Sequence, residues 1–137
     1  MMTMQITPFL MFEGSAQAAM DFYASVFPDA RIESVARYGD EGPGPAGTVM
    51  HAVFSLAGQR IMCSDSFVKH AFTFTPATSL FVECGTAAEV DALFAALSEG
   101  GQVLMPLDAY PFSPRFAWVA DRFGVSWQLS AAAKVPA

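Results

Sequence analysis

The chain contains two successive blocks in which hydrophobic and polar positions follow the same order. Each block opens with a short apolar run, at residues 6–12 and 80–84, of the length typical of a strand. A stretch with apolar residues three or four positions apart follows, which is the spacing of a core-facing helix stripe. This stripe is Ala19, Phe22, Tyr23 and Val26 in the first block and Val90, Leu93, Phe94 and Leu97 in the second.

Capping and breaking residues set the ends of the predicted elements. Ser15 is a suitable N-cap for the first helix, and Thr86 with Glu89 has the spacing of a capping box for the second. Pro8 lies inside the first apolar run, which predicts a strand at or near a sheet edge. Further strands are predicted at residues 31–37, 49–57, 59–64, 102–107, 115–120 and 125–130.

The two blocks also match residue by residue, which indicates an internal repeat. Laid over the second block, the first places Phe12 on Glu83, and residues 58–62 fall on residues 124–128. Each block therefore predicts one βαβββ module, and neither module can bury its apolar face alone. The predicted fold class is α+β with two tandem βαβββ modules. We predict a single domain over residues 1–137, with module one at 5–64, a connecting segment at 65–77 and module two at 78–130.

Composition narrows the function classes. Hydrophobic residues make up 53% of the chain, charged residues 15%, and the net charge is −6, which argues against a nucleic-acid-binding surface. No signal peptide and no membrane span is predicted, and the two isolated cysteines, Cys63 and Cys84, are expected to be reduced thiols. A cytoplasmic location is therefore the expectation. The surplus of Phe and Met suggests a subunit interface or an apolar cavity.

Several local strings resemble a known superfamily. ITPFLMF at residues 6–12, followed by AMDFY at 19–23, resembles the opening of PhnB-like proteins. FTFT at residues 72–75 and DRFGVSWQ at 121–128 resemble the relatives known as 3-demethylubiquinone-9 3-methyltransferase domain proteins. The chain thus looks like a member of the vicinal oxygen chelate superfamily, with glyoxalase I, bleomycin-resistance proteins and extradiol dioxygenases. This resemblance implies curved mixed sheets, helices on their outer face, a ligand cavity on the concave face and a homodimer.

The resemblance also identifies where catalytic relatives place a metal, on the first and fourth strand of each module. None of the corresponding residues here is a histidine or a carboxylate, and hydroxyls with a thioether are poor ligands for such ions. We therefore expect no metal at this site. The positions carried onto this chain are Thr7 or Pro8, Thr78 or Ser79, Met62 and Gln128.

The methyltransferase label implies a methyl donor such as S-adenosylmethionine. Its binding usually needs a glycine loop that opens a helix, where backbone N–H groups are available. The glycine-rich loop of this chain, residues 39–47, instead joins two predicted strands. We therefore expect no cofactor, and methyl transfer is the least favoured activity.

Candidate ligand-binding residues follow from strand alternation and from the aromatic positions. Gln128 alternates with Trp127, so if Trp127 faces the core, Gln128 points to the concave side, as a ligand-binding or a purely structural amide. Glu83 departs from the repeat, where the first copy has Phe12. His51 lies in a predicted strand and is either structural or functional. The candidate ligand-binding set is Gln128, His51, Met62, Phe9, Phe72, Phe74 and Glu83.

Three functions remain open at this point, and no catalytic residue is assigned. The first is a metal-free protein that binds a small apolar or aromatic molecule. The second is an enzyme of the superfamily acting without the usual metal, with Gln128, His51 or a residue of the connecting segment in acid–base or electrostatic roles. The third is a structural or regulatory dimer. Because the first strand carries no lysine to protect an open edge, we also predict a homodimer.

Overall fold

The structure is a computed structural model that describes residues 3–132, and it divides into two compact units, Met1–Ala71 and Phe72–Ala137. Each unit contains one helix and four strands in the order βαβββ. The first unit is formed by β1 (Phe9–Phe12), α1 (Ala16–Val26), β2 (Ala30–Arg37), β3 (Val49–Leu56) and β4 (Gln59–Asp65). The second is formed by β5 (Leu80–Cys84), α2 (Ala87–Ser98), β6 (Gln102–Tyr110), β7 (Ser113–Ala120) and β8 (Ser126–Ala131).

The two sheets have the same strand order. It is β1-β4-β3-β2 in the first unit and β5-β8-β7-β6 in the second. The first strand of each unit runs parallel to the last, and the other pairs are antiparallel, so both sheets are mixed. The predicted α+β architecture of two βαβββ modules is confirmed, and β1 lies at a sheet edge as Pro8 indicated.

Each helix covers one face of its own sheet. The covered faces hold the core: Phe54 and Ile61 are at most 2% exposed in the first unit, as are Val119 and Trp127 in the second. Alternate residues of the same strands point to the other face, because side chains in a strand alternate with a period of two. Trp127 thus faces the core, which is the condition under which Gln128 points to the opposite face.

The start of α1 is held by Asp65 at the end of β4. Its Oδ1 accepts hydrogen bonds from the backbone N–H groups of Gly14 and Ala16 at 2.8 and 2.9 Å. Its Oδ2 accepts from the N–H of Val49 at 3.0 Å. Ser15 occupies the N-cap position but makes no side-chain capping bond, so its predicted capping role was wrong. The buried carboxylate offers charge-assisted bonds that a neutral hydroxyl cannot match.

The start of α2 follows the sequence prediction. The Thr86 hydroxyl accepts from the Glu89 backbone N–H at 3.2 Å, and the Glu89 carboxylate accepts from the Thr86 N–H at 3.1 Å. This reciprocal pair is a complete capping box. The two helices are therefore capped by different means, one by a distant strand residue and one by its own first turn.

Both cysteines are free thiols and both are buried. Burial, with a smaller contribution from the nearby Asp65 carboxylate, raises the pKa of Cys63 to about 12. Burial also raises the pKa of Cys84, and Glu89 adds to that effect. Both groups are therefore neutral thiols near pH 7. Among residues 3–132, no helix combines the length and the apolar character needed to cross a membrane.

Candidate functional site

The face of each sheet opposite its own helix, called its open face below, carries the candidate site residues. On the second sheet, one row of side chains crosses all four strands. Phe81 of β5 is paired with Gln128 of β8, Gln128 with Trp118 of β7, and Trp118 with Met105 of β6. Phe81 is 55% exposed, and the other three are half-buried. A phenyl ring, an amide, an indole and a thioether thus lie side by side.

Polar groups around this row are hydrogen-bonded to one another. The Trp118 indole N–H donates to the Ser126 hydroxyl at 2.8 Å, and the Ser126 and Ser79 hydroxyls lie 2.7 Å apart. The Gln128 amide has no such partner within residues 3–132. Because an amide carries two donors and an acceptor, Gln128 is the polar group of the row that remains available to a ligand.

An aromatic cluster closes one end of this face. Phe116 lies two residues before Trp118 on β7, so the two side chains share a face. It is only 2% exposed, because Tyr110 and Phe112 contact it edge-on with ring centroids 5.6 and 4.9 Å away. Tyr110 and Phe112 also stack on each other at 5.5 Å. The hairpin between β6 and β7 therefore forms an aromatic wall beside the row.

The open face of the first sheet has the same layout with different chemistry. Its corresponding row is Phe9, Met62, Val53 and Ser34, which are paired in register from β1 to β2. His51 lies on the same face as Val53 and contacts the ring of Phe9 with centroids 6.0 Å apart. The row therefore has no amide and no indole.

The structure separates the sequence-predicted residues into three places. Phe9, Met62 and His51 share the open face of the first sheet, and Gln128 and Glu83 share that of the second. Phe74 and Phe72 lie outside the strands, in the segment before β5. A Cβ added at Gly124 would meet the Phe74 ring at 3.7 Å, so Phe74 packs over the turn between β7 and β8. Phe72 is 63% exposed.

Glu83 does not correspond to Phe12, as the sequence overlay had it. Met11 is paired with Ser64, and Glu83 with Ser130, at matching places in the two sheets. Glu83 is therefore the counterpart of Met11 on the open face, while Phe12 is buried on the helix side. The overlay was wrong by one residue in this strand, and a one-residue shift reverses the face of every side chain.

Sequence reasoning missed three members of the row in the second unit: Phe81, Trp118 and Met105. The signal was partly available, since Trp118 alternates with the apolar residues Ala117 and Val119 and so faces away from them. What alternation cannot show is the partner across the sheet. The pairing of Trp118 with Gln128 is fixed by the antiparallel register of β7 and β8.

Two concavities of the first unit hold none of the candidate ligand-binding residues. An open groove of about 580 Å³ lies beside the turn between β3 and β4, and its one lining cation, Arg60, is paired with Glu33 at 3.2 Å. A second, of about 200 Å³, lies at the start of α1, where the Asp65 carboxylate already accepts three hydrogen bonds. The second is also lined by the charged residues Glu13 and Lys69, and neither concavity contains the row of side chains described above.

Comparison with known proteins identifies the family. The model of the family described as 3-demethylubiquinone-9 3-methyltransferase matches residues 4–130. The chain belongs to this family. Uncharacterized proteins of Mycobacterium bovis and Mycobacterium tuberculosis are 30% identical to it over 134 residues, which cover 90% of this chain and 80% and 72% of theirs.

Solved structures of related proteins share the fold. A putative 3-demethylubiquinone-9 3-methyltransferase, PhnB protein, from Bacillus cereus is 55% identical and covers 94% of this chain and 100% of its own, with a TM-score of 0.91. A protein from Pseudomonas aeruginosa is 31% identical over 94% of this chain and 98% of its own, with a TM-score of 0.81. The fosfomycin resistance protein FosX from Listeria monocytogenes, at 14% identity and a TM-score of 0.65 over 98% and 94% of the two chains, shares the fold alone. The PhnB-like protein is thus a member of the vicinal oxygen chelate superfamily.

The donor chemistry of this PhnB-like chain does not fit the metal that catalytic relatives in the superfamily use. Met62 and Gln128 occupy equivalent places on the last strand of each sheet, and Phe9 and Phe81 lie beside them on the first strand. A thioether, an amide and two phenyl rings are poor ligands for a divalent cation of this type. Within residues 3–132, no three His, Cys, Asp or Glu side chains are grouped as metal ligands would be.

The family description names a methyltransferase, and the glycine-rich segment of this chain does not fit the binding of a methyl donor. The glycine-rich segment 39–47 joins β2 to β3, so its backbone N–H groups do not open a helix. A Cβ at Gly44 would lie 2.7 Å from the Tyr38 ring, which shows that the segment packs on this buried side chain. The Tyr38 hydroxyl donates to the backbone oxygen of Asp65 at 3.2 Å. Gly44 therefore packs on Tyr38 while the other residues of the segment are exposed, and a segment that joins two strands lacks the helix N-terminus that such a donor usually needs.

Proposed function

We propose that this PhnB-like protein binds a small aromatic or apolar molecule on the open face of its second sheet, without a metal. The observation that carries the proposal is the row of Phe81, Gln128, Trp118 and Met105 across the four strands. Two aromatic rings flank an amide whose hydrogen-bonding groups have no side-chain partner among residues 3–132.

This arrangement matches the requirements of a flat ligand. Aromatic stacking on Trp118 and Phe81 supplies about 0.5–1.5 kcal/mol for each ring pair beyond the area buried. The Gln128 amide gives direction, since a hydrogen bond adds about 0.5–1.5 kcal/mol. Met105 provides a flexible apolar edge that adapts to ligand shape. The aromatic wall of Tyr110, Phe112 and Phe116 limits how far a ligand extends along the strands.

The test uses the full chain and a neutral bicyclic probe, 2-naphthylmethanol. We expect saturable binding by calorimetry, and at 100 times its Kd the probe should stabilise the fold by about 2.7 kcal/mol. Trp118→Ala should weaken binding, whereas Val53→Ala, at the equivalent place in the first unit, should leave it unchanged. Equal loss in both variants would place the site elsewhere, and no binding of this probe would refute the proposal.

A metal-free enzyme is the second candidate, favoured by one observation. Glu83 lies on the same face as Phe81, two residues along β5, and its carboxylate makes no hydrogen bond or ion pair within the described part of the chain. Such a group can exchange a proton with a bound ligand. Incorporation of deuterium from solvent into the methyl group of 2-acetylnaphthalene, whose C–H bonds next to the carbonyl can exchange through the enol, would support this candidate if it is faster than in buffer and is lost in Glu83→Gln. Absence of exchange would leave binding as the whole function.

We propose that the protein assembles as a homodimer. β1 is an edge strand, and residues around it expose large apolar side chains: Met4 and Ile6 are each 92% exposed and Phe9 is 52% exposed. Edges of this kind are normally covered, and a two-fold interface between identical chains would cover both copies at once. Light scattering at micromolar concentration should return twice 14.7 kDa, and the monomer mass would contradict the proposal.

A further inference from the structure

The charged groups of the second unit are distributed unevenly over its two faces. Glu83 and Asp108 lie in one row with Ser130 and Phe116, next to the row that contains Gln128 and on the same open face. Both carboxylates are exposed. The open face of this unit therefore carries two negative side chains beside its aromatic rings.

The cations of the second unit lie away from this face. Arg115 belongs to the helix side of β7, and its guanidinium is paired with Asp91 of α2 at 2.7 Å. Arg122 lies beside Gly100, at the end of α2, where an added Cβ would be 3.5 Å from the Arg122 Cβ. Among the described residues 72–132, no other Lys, Arg or His exists to neutralise the open face.

The remaining carboxylates of the second unit have structural tasks or another location. Glu89 forms the capping box, and Asp121 accepts from Phe123, Val125 and the Trp127 indole at 2.8–3.1 Å. Asp108 accepts from the backbone N–H of Ala109 at 2.7 Å. Glu83 has no such bond to any residue between 3 and 132, so it is the carboxylate of the open face most available to a ligand.

Glu83 lies close enough to the row to contact a molecule that is stacked on it. Successive residues on one face of a strand are about 6.6 Å apart, which separates Glu83 from Phe81. Neighbouring strands are about 4.8 Å apart, so Phe81 and Trp118 are separated by about 10 Å, the span of a bicyclic ring system. A short substituent on such a ring would meet the Glu83 carboxylate. Indole and phenyl faces also attract cations directly.

We propose that the ligand of this face is a cationic aromatic molecule, an arylalkyl ammonium, with its ring on Phe81 and Trp118 and its charge at Glu83. This inference rests on the proposed binding function and specifies its ligand class. A carboxylate at this distance favours the cation over a neutral molecule of the same shape, and disfavours an anion.

The test compares three probes of similar shape and different charge: 2-naphthylmethylammonium, 2-naphthylmethanol and 2-naphthoate. Calorimetry on the full chain at low salt should give the cation a Kd about tenfold lower than the alcohol, with the carboxylate weakest. The preference should shrink when the salt concentration rises from about 20 to 200 mM, because exposed charges are screened.

Glu83→Gln should bring the cation and the alcohol to about equal affinity, because it removes the charge that distinguishes them. Glu99→Gln is the matched control, since Glu99 is an exposed carboxylate of the same unit at the C-cap of α2, and it should keep the full preference. Equal affinity of all three probes for the unaltered protein would overturn the cation inference and leave the binding function intact. Failure of all three to bind would overturn both.

Discussion

The open faces of the two units have the same strand order but carry different side chains. Both begin their central row with phenylalanine, Phe9 in the first unit and Phe81 in the second. The next position is Met62 in one and Gln128 in the other. An apolar thioether is thus replaced by an amide with free donors and an acceptor, and only the second face gains a directional contact.

The third position of the row and the position beside it on the same strand also differ between the two units. Val53 of the first unit corresponds to Trp118 of the second, and His51 corresponds to Phe116. The second face is therefore more aromatic, and its helix side is no less tightly packed than that of the first. Ile61 and Trp127 occupy equivalent buried places on that side, each 2% exposed. Core packing constrains the helix side of both copies, whereas the open face is free to diverge toward a ligand.

The largest expected effect is on stability. It follows from a difference between the buried carboxylates of the two units. Asp65 joins the start of α1 and the start of β3, while Asp121 holds the turn between β7 and β8 and the Trp127 indole of β8. Asp65→Ala should lower the free energy of unfolding by about 3 kcal/mol, because three N–H groups lose a charged acceptor. Urea denaturation measures this effect.

Ser15→Ala is the control for that variant. Ser15 makes no capping bond, so its removal should change the free energy of unfolding by no more than about 0.5 kcal/mol. A loss of about 1 kcal/mol or more, the usual cost of removing a true N-cap, would show that the serine does cap α1.

The next effect concerns ligand affinity. Trp118→Ala should raise the Kd for 2-naphthylmethanol at least tenfold, since losing one stacked ring costs about 1.4 kcal/mol or more of binding free energy. Calorimetry on Trp118→Phe should show a smaller loss, because a phenyl ring retains part of the stacking surface. Identical losses for Ala and Phe would indicate that stacking is not the interaction involved.

A reciprocal exchange sharpens the comparison at a single position. Gln128→Met gives the second row the first unit's residue and should weaken binding of the alcohol about three- to tenfold, the value of one hydrogen bond. Met62→Gln should leave affinity unchanged by the same calorimetric measurement. If Met62→Gln strengthened binding, the first face would also be a ligand site.

The last effect is a pH dependence of stability to which the buried thiol of each unit contributes. Burial raises the pKa of Cys63 to about 12, so the folded protein keeps this proton after an unfolded cysteine, with a pKa of about 8.5, has lost it. The stability that depends on the neutral thiol is complete below about pH 8.5 and falls as the pH rises toward 12. The fall should reach about 1.4 kcal/mol near pH 9.5.

Denaturation of Cys63→Ala between pH 7.5 and 9.5 checks this expectation, since that variant should lose most of the pH slope. The cost of the cavity is the same at both pH values and cancels in the difference. Cys84→Ala should also reduce the slope, because burial raises the pKa of that thiol as well. An unchanged slope in both variants would contradict the expectation.

Much of the fold could be predicted because it depends on local patterns. Helix stripes, the capping box of Thr86 and Glu89, and the turns at Gly58 and Gly124 each occupy a few adjacent residues, and the structure has them where the pattern indicated. Both turn glycines have a positive φ, at 85° and 92°, which glycine adopts without steric cost. The opposite orientations of Trp127 and Gln128 followed from strand alternation alone.

The candidate site was less predictable because it depends on contacts between distant segments. Sequence determined the repeat, the order of the elements and the family. All three can be read from the order of residues along the chain, without knowing which segments meet in space. Only the tertiary structure decided that Asp65 holds α1, that Glu83 shares the open face, and that Trp118 lies beside Gln128. These facts depend on the register of paired strands, and because side chains alternate with a period of two, a shift of one residue exchanges the core face for the open one.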